Sequence, residues 1–320
     1  MRISGIRNII LLALLCTPVH AQHAVDSLLK ECGKFEKWRV VEIEESPLLG
    51  GDTKYIYKLS EGDTLKGNTV FGQREDDLLA PCNIMANIIG IVKSSNSVFP
   101  ERRGDGYCAR MEVVLERVKV IGMINISALA QGTILTGSFI EPIRNTQDPY
   151  SKFNCGIPYT SRPKALKYDY KSQGGKEIIR ATGLTPKKHI GGKDYPYIGV
   201  VLQKRYEDEK GNVHALRVGT GFKIFYEDAP EWVNGETIEI LYGDITSHEG
   251  YTDFMGLKNG DSAYYCLNSK GRSVPILEEG WADADDTPTH AIVWISSSCG
   301  KAFYGGLGNK FWIDNVEFVF

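Results

Sequence analysis

The chain has 320 residues, of which 42% are hydrophobic and 24% are charged, and its formal net charge is −3. This composition excludes a disordered chain and supplies enough apolar side chains for a core. The near-neutral charge balance, without a basic block, argues against a nucleic-acid partner.

The first 21 residues have the features of a secretory signal peptide. Arg2 and Arg7 give a positively charged start, an apolar run covers 9–15, and Ala21 follows at a site suited to signal peptidase. The run is shorter than a transmembrane helix requires, and no later segment is apolar and long enough to span a bilayer. The sequence therefore predicts cleavage after Ala21 and export to the periplasm or to the cell surface, two destinations that it does not separate.

One short helix is predicted over 25–32, ending at Gly33, and the pattern beyond it is typical of strands. Alternating or continuous runs of β-branched, aromatic and aliphatic residues are separated by Gly, Pro, Asn and Asp. The segment 209–212 has the composition of a hairpin turn between two of these runs. The predicted strands are Lys54–Leu59, Ala109–Ile121, Thr133–Ile140, Ala165–Lys171, Ile198–Tyr206, Ala215–Phe225, Thr237–Tyr242, Ala291–Ser296 and Phe311–Phe320.

About ten strands without long helices between them favour an all-β fold, a sandwich or a barrel, over a parallel βαβ sheet. No internal repeat or linker interrupts the mature chain, so we expect a single domain over 22–320. Three long loops are predicted, at 141–162, 181–197 and 243–288. Long loops on a rigid β scaffold are where binding sites are often built.

Six cysteines follow the predicted cleavage site, an even number that permits three disulfides in 15 possible pairings. Their spacing is wide and irregular, and a chain of this size needs no covalent staples, so free buried thiols are an equal alternative. Leu15 precedes Cys16, where a lipoprotein signal needs a small residue, and this disfavours lipidation. The six cysteines are Cys32, Cys82, Cys108, Cys155, Cys266 and Cys299.

The sequence contains no recognisable catalytic motif, so no catalytic residue is assigned. G-x-S-x-G and H-E-x-x-H are both absent. A glycoside hydrolase needs two facing carboxylates, roughly 5–10 Å apart. Glu42 and Glu44 alternate along one predicted strand, and Glu112 and Glu116 share a face of another. The solvent-exposed face of a strand is the favoured explanation for both pairs.

An acidic cluster follows Trp281, at Asp283, Asp285 and Asp286. Carboxylate oxygens are the ligands that Ca²⁺ prefers, but this spacing does not match an EF-hand loop. A solvated loop is the favoured interpretation. No cofactor is predicted beyond a structural Ca²⁺ of this kind.

Two segments carry residue types suited to ligand binding. The first enters a predicted strand through Tyr159, Arg162 and Lys164, and the two cations share one face, where they could hydrogen-bond to hydroxyls or to a carboxylate. The second, 295–318, comprises a strand, a Gly-rich loop with Tyr304, and the final strand.

At these residues the chain resembles the putative carbohydrate metabolism domain family of gut Bacteroidetes. The family's R-P-x-A-L-K-x-x-Y-K strand is matched by Arg162–Lys171, its S-S-x-x-G-x-x-F-x-G segment lies within Ile292–Phe318, and its A-G-x-L-x-T-G-x-F strand corresponds to Ala130–Phe139. The resemblance covers residues 35–320 and implies an exported β-sandwich jelly roll similar to carbohydrate-binding modules and to some glycoside hydrolases.

The resemblance carries two further expectations. Family members often have an additional immunoglobulin-like domain at the N-terminus, and the length before the first matched strands predicts that this chain lacks it. Asp314 lies where related jelly rolls bind a structural Ca²⁺, although a capping or turn-bonding role for this aspartate is favoured.

The favoured hypothesis is an exported, non-catalytic protein that binds an oligosaccharide or polysaccharide. A glycoside hydrolase or related carbohydrate-active enzyme is the alternative, and a structural or adhesive surface protein is the second alternative. The identity of the glycan and the oligomeric state stay open. The candidate ligand-binding residues are Arg162, Lys164, Tyr159, Trp281, Tyr304, Arg102 and Tyr107.

Overall fold

The computed structural model describes residues 18–120, 124–183 and 185–320. Strand accounts for 51% of the chain and helix for 8%, which confirms the predicted all-β class. The helix α1 spans Pro18–Cys32, so it begins earlier than predicted and ends where predicted. Four short 3-10 helices lie at Pro47–Leu49, Pro149–Lys152, Asp253–Met255 and Gly260–Ser262.

The described residues form 25 strands. The first twelve are β1 (Trp38–Glu44), β2 (Thr53–Leu59), β3 (Leu79–Pro81), β4 (Ile84–Ile88), β5 (Ile91–Ser95), β6 (Val98–Arg103), β7 (Gly106–Glu112), β8 (Val114–Val120), β9 (Ile124–Ala130), β10 (Thr133–Phe139), β11 (Phe153–Cys155) and β12 (Ile157–Pro158). The others are β13 (Ala165–Gln173), β14 (Ile178–Arg180), β15 (Thr182–Gly183), β16 (Lys188–His189), β17 (Tyr197–Glu207), β18 (Val213–Ile224), β19 (Ala229–Glu239), β20 (Leu241–Tyr242), β21 (Tyr265–Leu267), β22 (Ser273–Trp281), β23 (His290–Ser296), β24 (Tyr304–Gly306) and β25 (Lys310–Val319).

Two sheets form a sandwich. The small sheet has the order β19-β13-β25-β7-β6, and the large sheet has the order β11-β10-β23-β17-β18-β22-β21, with β3, β12 and β20 at its margins. The chain passes repeatedly between them, from β7 to β10, β13, β17, β18, β19, β23 and finally β25. This alternation is typical of a jelly roll and confirms the predicted architecture.

The core lies between the two sheets. Val200 and Val293 of the large sheet and Leu166 and Ile313 of the small sheet are fully buried in one cluster. Truncation of such a side chain to alanine costs about 2–5 kcal/mol. Because side chains alternate along a strand, the residues between these core positions face outward from the sandwich.

The outer face of the large sheet is also apolar. Leu135, Val201, Ile292 and Trp294 form a second buried cluster there, with Cys155 of β11. A sheet that is apolar on both faces must be shielded from solvent on both. The long segments around β11 and β21 shield the outer face. This second apolar layer is where the candidate site lies.

Most of the predicted strands are present with small shifts at their ends. Those that became β2, β10, β13, β17, β18, β23 and β25 are confirmed. The predicted hairpin turn joins β17 to β18, and Asp208 stabilises it by accepting hydrogen bonds from the backbone N–H groups of Lys210 at 2.9 Å and Asn212 at 2.8 Å. Asx turns of this kind are a common use of aspartate.

Two predicted strands were wrong, because each is divided between different sheets. The segment 109–121 breaks at Val113, whose backbone N–H donates to the carbonyl of Asn309 at 2.9 Å, so β7 and β8 pair with different neighbours. Glu112 and Glu116 therefore do not share a strand. The segment 237–242 ends β19 in the small sheet and then forms β20 against the large one.

The region 243–288 is not the simple loop that was predicted. It contains β22, which pairs in parallel with β18 and antiparallel with β21. The sequence pattern did not indicate this strand, because Pro275 and the Glu-Glu-Gly sequence at 278–280 have low strand propensity. Burial decides its conformation, because Ile276 is fully buried against Val213 and Ala215.

The six cysteines that follow the predicted cleavage site all carry free thiols, in agreement with the alternative that needed no disulfides. Cys16 and most of the signal peptide predicted over 1–21 lie outside the described residues. None of the helices in the described ranges has the length and hydropathy needed to cross a membrane.

Candidate functional site

A cavity of about 140 Å³ lies on the outer face of the large sheet. Its floor is formed by Tyr197, Phe222 and Trp294, which come from the adjacent strands β17, β18 and β23. Alternation places these rings outward, because the neighbouring residues Ile198 and Val293 point into the core. The cavity thus follows from the same strand periodicity that builds the sandwich.

Gly199 gives the floor its shape. In the strand register it is paired on one side with Phe222 and on the other with Trp294. A Cβ atom at this position would lie 2.5 Å from Cε1 of Phe222. The Phe222 ring therefore occupies the space that the side chain of any residue other than glycine would fill. The missing side chain lets Phe222 lie flat across β17.

Three loops form the walls. Tyr150 and Phe153 come from the segment 141–162, Phe254 and Lys258 come from 243–288, and the third wall is the Gly-rich loop at 299–301. Two of the three long loops predicted from the sequence therefore line the cavity. Among the described residues of the third, 181–197, the last one, Tyr197, lines the cavity.

The rings pack in fixed arrangements. Tyr197 and Phe222 are stacked with centroids 6.4 Å apart, and Phe254 meets both edge-on, at 5.1 and 5.4 Å. On the opposite side Phe153 lies 5.1 Å from Trp294. Aromatic pairs of these geometries each contribute about 0.5–1.5 kcal/mol beyond the area they bury. The cavity is therefore preformed rather than assembled by a ligand.

A buried ion pair fastens the wall that carries Phe254 and Lys258. Arg217 and Glu278 are both 0% exposed. Glu278 Oε1 accepts from Arg217 Nε at 2.7 Å and from Gln203 Nε2 at 2.6 Å, while Oε2 accepts from the backbone N–H of Lys258 at 2.6 Å and from Arg217 Nη2. A buried charge pair is tolerated when its remaining hydrogen-bonding positions are filled, as they are here.

A second polar anchor holds the Gly-rich wall. The side-chain amide of Gln131 lies within hydrogen-bonding distance of the carbonyls of Gly300 at 3.1 Å and Lys301 at 3.0 Å. The backbone N–H of Ala302 donates to the hydroxyl of Tyr150 at 3.0 Å and joins this wall to the next. The two motif segments, at 130–139 and 292–318, therefore both contribute to the Gly-rich wall of the cavity.

The titratable groups of the cavity have pKa values set by burial. Burial raises the pKa of the Cys155 thiol to about 12 and that of the Tyr197 hydroxyl well above its ordinary value. Burial, and then the nearby charge of Arg217, lowers the pKa of Lys258. Burial thus favours the neutral form of Cys155 and Tyr197, and the basic residues of the lining are Lys258 and Lys301.

The lining contains no Asp or Glu among the residues that the structure describes. The carboxylate behind the wall, Glu278, has both oxygens occupied by the hydrogen bonds given above. Glycoside hydrolysis requires two carboxylates on either side of the scissile bond. None of the described lining residues therefore supplies either member of such a carboxylate pair.

Of the residues predicted from the sequence to bind a ligand, none lines this cavity. Tyr159 is a core residue, 1% exposed, and its ring lies 5.1 Å from Phe318. The guanidinium of Arg162 stacks on Tyr242 at 4.1 Å and donates to the carbonyls of Ala284 and Asp286, so it holds that loop in place. Tyr159 directly follows β12 and its side chain is buried in the core, and ligand binding by it stays a prediction.

The other candidates are dispersed. Lys164 is exposed beside β13, and Trp281 lies 5.6 Å from the guanidinium of Arg217. Tyr304 faces Arg180 at 5.7 Å. Arg102 stacks on Tyr107 at 4.4 Å in the β6–β7 hairpin, the one pair that the structure brings together. Ligand binding by these residues stays a prediction.

The aromatic rings of the cavity were missed because the sequence does not distinguish a ring on the core face from a ring on the outer face. Two signals were present. Tyr150, Phe153 and Phe254 lie in long loops, where a core role is unusual, and Trp294 alternates with the apolar residues of β23. That these rings lie together could not be predicted without knowing the strand order of the large sheet.

Several of the acidic residues considered for metal binding or catalysis form ion pairs elsewhere in the molecule. Asp314 Oδ2 accepts from Arg103 Nη1 at 2.6 Å, and Asp286 pairs with Lys204 at 2.6 Å. Glu42 lies 3.6 Å from Lys66. Within 18–120, 124–183 and 185–320, no three Asp, Glu, His or Cys side chains come together as metal ligands would. The turn-bonding role favoured for Asp314 is present as well, because its Oδ1 accepts from the N–H of Asn315 at 2.8 Å.

The all-β sandwich is that of a carbohydrate-related domain. Residues 80–319 match the family described as "Putative carbohydrate metabolism domain". The chain belongs to this family, and the resemblance inferred from its motifs is confirmed. No curated protein matches the chain.

The chain is similar to several solved structures, including the following three. A putative glycoside hydrolase from Bacteroides thetaiotaomicron is 16% identical, with 88% of this chain and 70% of that chain covered and a TM-score of 0.47. One from Bacteroides vulgatus is 14% identical, with 89% and 96% covered and a TM-score of 0.47. A family 29 carbohydrate-binding module is 11% identical, with 74% and 90% covered and a TM-score of 0.18. Similarities this low carry no inference about activity.

Proposed function

We propose that the protein binds carbohydrate in the cavity of the large sheet and does not hydrolyse it. The observation that carries the proposal is a preformed cavity lined by aromatic rings and free of carboxylates among the described residues. Rings stack on the C–H faces of sugars, and a few polar groups at the rim fix their orientation. Membership of a carbohydrate-related family supports this choice of ligand.

The size of the cavity favours a single sugar unit. Its volume of about 140 Å³ is below the range of roughly 300–1,000 Å³ that is usual for larger ligands. An apolar cavity of about 150 Å³ holds one six-carbon ring. The ligand is therefore a monosaccharide or the terminal unit of a glycan chain, whose remaining units lie outside the cavity.

The hydrolase alternative requires a facing carboxylate pair, and one such pair lies on the outer face of the small sheet. Asp169 and Asp314 are register partners on β13 and β25. Arg103 bridges them, with distances of 2.9 and 2.6 Å, and Asn315 Nδ2 donates to Asp169 at 2.8 Å. We assign this network to the stability of the sheet, because these bonds engage both carboxylates.

Export belongs to the same proposal. The signal features of residues 1–21 support a protein that meets its glycan in the periplasm or on the cell surface. N-terminal sequencing of the protein from a fractionated cell tests this step, with Gln22 expected as the first residue. An intact Met1 in the cytoplasmic fraction would contradict it.

Calorimetric titration with a panel of mono- and disaccharides tests the binding proposal. Phe254→Ala removes a ring from the cavity wall, and we expect at least a tenfold loss of affinity, equivalent to about 1.4 kcal/mol. Tyr226→Ala is the matched control, because this ring is 66% exposed away from the cavity lining. Equal affinities for both variants would contradict the site. Release of reducing sugar would contradict the non-catalytic assignment, and binding of protein fibres without any sugar would favour the adhesive alternative.

A further inference from the structure

We propose that the cavity selects a sugar unit that carries an anionic group, either the carboxylate of a uronic acid or a sulfate ester. This inference rests on the proposed function, because it names the class of sugar bound at the same site. The inference is based on the charges of the residues that line the cavity. Lys258 and Lys301 contribute two positive charges, and no acidic residue of the described lining opposes them.

The ammonium group of Lys258 has no counterion in the described parts of the chain. Its Nζ donates to the carbonyl of Phe254 at 2.6 Å and lies 4.8 and 5.8 Å from the ring centroids of Phe254 and Phe222. By contrast, Lys58 and Lys93, which are also shielded from solvent, lie 2.9 and 3.3 Å from Glu141 and Glu45.

The carboxylate of Glu278 does not compensate this charge. It is bound by both Nε and Nη2 of Arg217, and its contact with Lys258 is to the backbone N–H rather than to the ammonium. Arg217 and Glu278 form a pair with each other, so neither side chain is a dedicated counterion of the Lys258 ammonium. A partly buried charge without a partner is costly, and an anion in the cavity would relieve that cost.

Lys301 adds a second cation at the rim. It is exposed, and its backbone carbonyl is held by the side chain of Gln131 at 3.0 Å, so the loop that carries it is fixed. A sugar ring stacked on the floor rings would present a substituent on its edge to one or both ammonium groups. Carboxylate and sulfate both accept such charge-assisted hydrogen bonds, which are about twice as strong as neutral ones.

Titration of the protein with matched sugars tests this inference. The probes are methyl glucuronide, methyl glucoside and glucose 6-sulfate, together with the same comparison in the galactose series. We expect at least one anionic sugar to bind tenfold or more tightly than its neutral counterpart at low salt, and this preference to shrink as salt is added. The two anionic arms distinguish a carboxylate ligand from a sulfate ligand.

Lys258→Met keeps the length of the side chain and removes its charge. In this variant the preference for the anionic sugar should fall below about threefold while binding of the neutral sugar persists, and Lys258→Arg should retain the preference. Lys210→Met is the control, because Lys210 is exposed in the β17–β18 turn. Thermal unfolding of each variant verifies that it is folded.

The outcomes separate the inference from the proposed function. Equal binding of neutral and anionic sugars by the wild-type protein, or an undiminished preference in Lys258→Met, would overturn the inference and leave carbohydrate binding intact. The absence of binding to any sugar, neutral or anionic, would overturn both. Loss of the preference in Lys258→Met but not in Lys210→Met supports the inference.

Discussion

Arg217 and Glu278 form an ion pair that is completely buried beside the cavity, and this pair holds the backbone of Lys258 at the cavity wall. The arginine also reaches the carbonyl of Met255 at 3.3 Å. One side-chain pair thus links the large sheet to the loop that carries both Phe254 and Lys258. Stability and ligand binding are therefore coupled through it.

Arg217→Met should destabilise the protein by about 3–5 kcal/mol, because it leaves the Glu278 carboxylate buried without its cation. Adding Glu278→Gln to this variant should recover a substantial part of the loss, since no buried charge then remains. Urea unfolding at neutral pH measures both free energies of unfolding. A double variant no more stable than Arg217→Met would contradict this account of the pair.

Gly199→Ala should weaken sugar binding, because the new methyl group would displace the ring of Phe222 from the cavity floor. We expect at least a fivefold loss of affinity, together with a loss of stability of about 1–3 kcal/mol from overpacking. Gly280→Ala is the control, since its Cβ would meet only Leu216, at 3.9 Å. Unchanged affinity in Gly199→Ala would show that Phe222 is not part of the site.

His290 should make the protein less stable in acid. Burial, and then the charge of Arg205, lowers the pKa of His290 to about 4 in the folded state, compared with about 6.5 when unfolded. The folded state therefore favours the neutral ring, and this contribution is complete above pH 6.5 and is lost as the pH falls towards 4. The total is on the order of 3 kcal/mol.

Unfolding free energies between pH 7 and pH 4 measure this loss. His290→Gln should flatten the profile across the interval, because its side chain does not titrate. His189→Gln, at an exposed position, should leave the profile as in the wild type. An NMR titration in which His290 gains its proton near pH 6.5 would contradict the assignment.

Arg103→Met should destabilise the small sheet and leave sugar binding unchanged. Asp169 and Asp314 are 7% and 6% exposed, and both would lose their shared cation, at a cost of about 3–5 kcal/mol. Affinity for sugar should stay within twofold of the wild type, since the cavity lies on the other sheet. A hydrolytic activity that is lost in Asp314→Asn while the protein stays folded would instead support the hydrolase alternative.

The sequence was sufficient for the fold class because runs of β-branched, aromatic and aliphatic residues between turn residues are a local property. The runs that became β17, β23 and β25 are of this kind, and Asp208 marks the turn between β17 and β18. The strand β22 was missed because its conformation depends on burial against Val213 and Ala215, which no local pattern records. The break at Val113 likewise depends on a distant partner, Asn309.

The candidate site was predicted only in part, for the same reason. The long loops were expected to build it, and two of them do. Arg162 was favoured because a cation before a strand suggests a rim position, yet its donors are satisfied by the carbonyls of Ala284 and Asp286. The residues that do converge, such as Tyr150, Phe222 and Phe254, are far apart in sequence and meet only through the order of the strands.

A crystal structure of the protein with a bound monosaccharide tests the central claim most directly. The account predicts one sugar ring in the cavity, in van der Waals contact with Phe222 or Trp294 and with its substituent directed at Lys258. A sugar bound instead on the outer face of the small sheet, with the cavity empty, would contradict it.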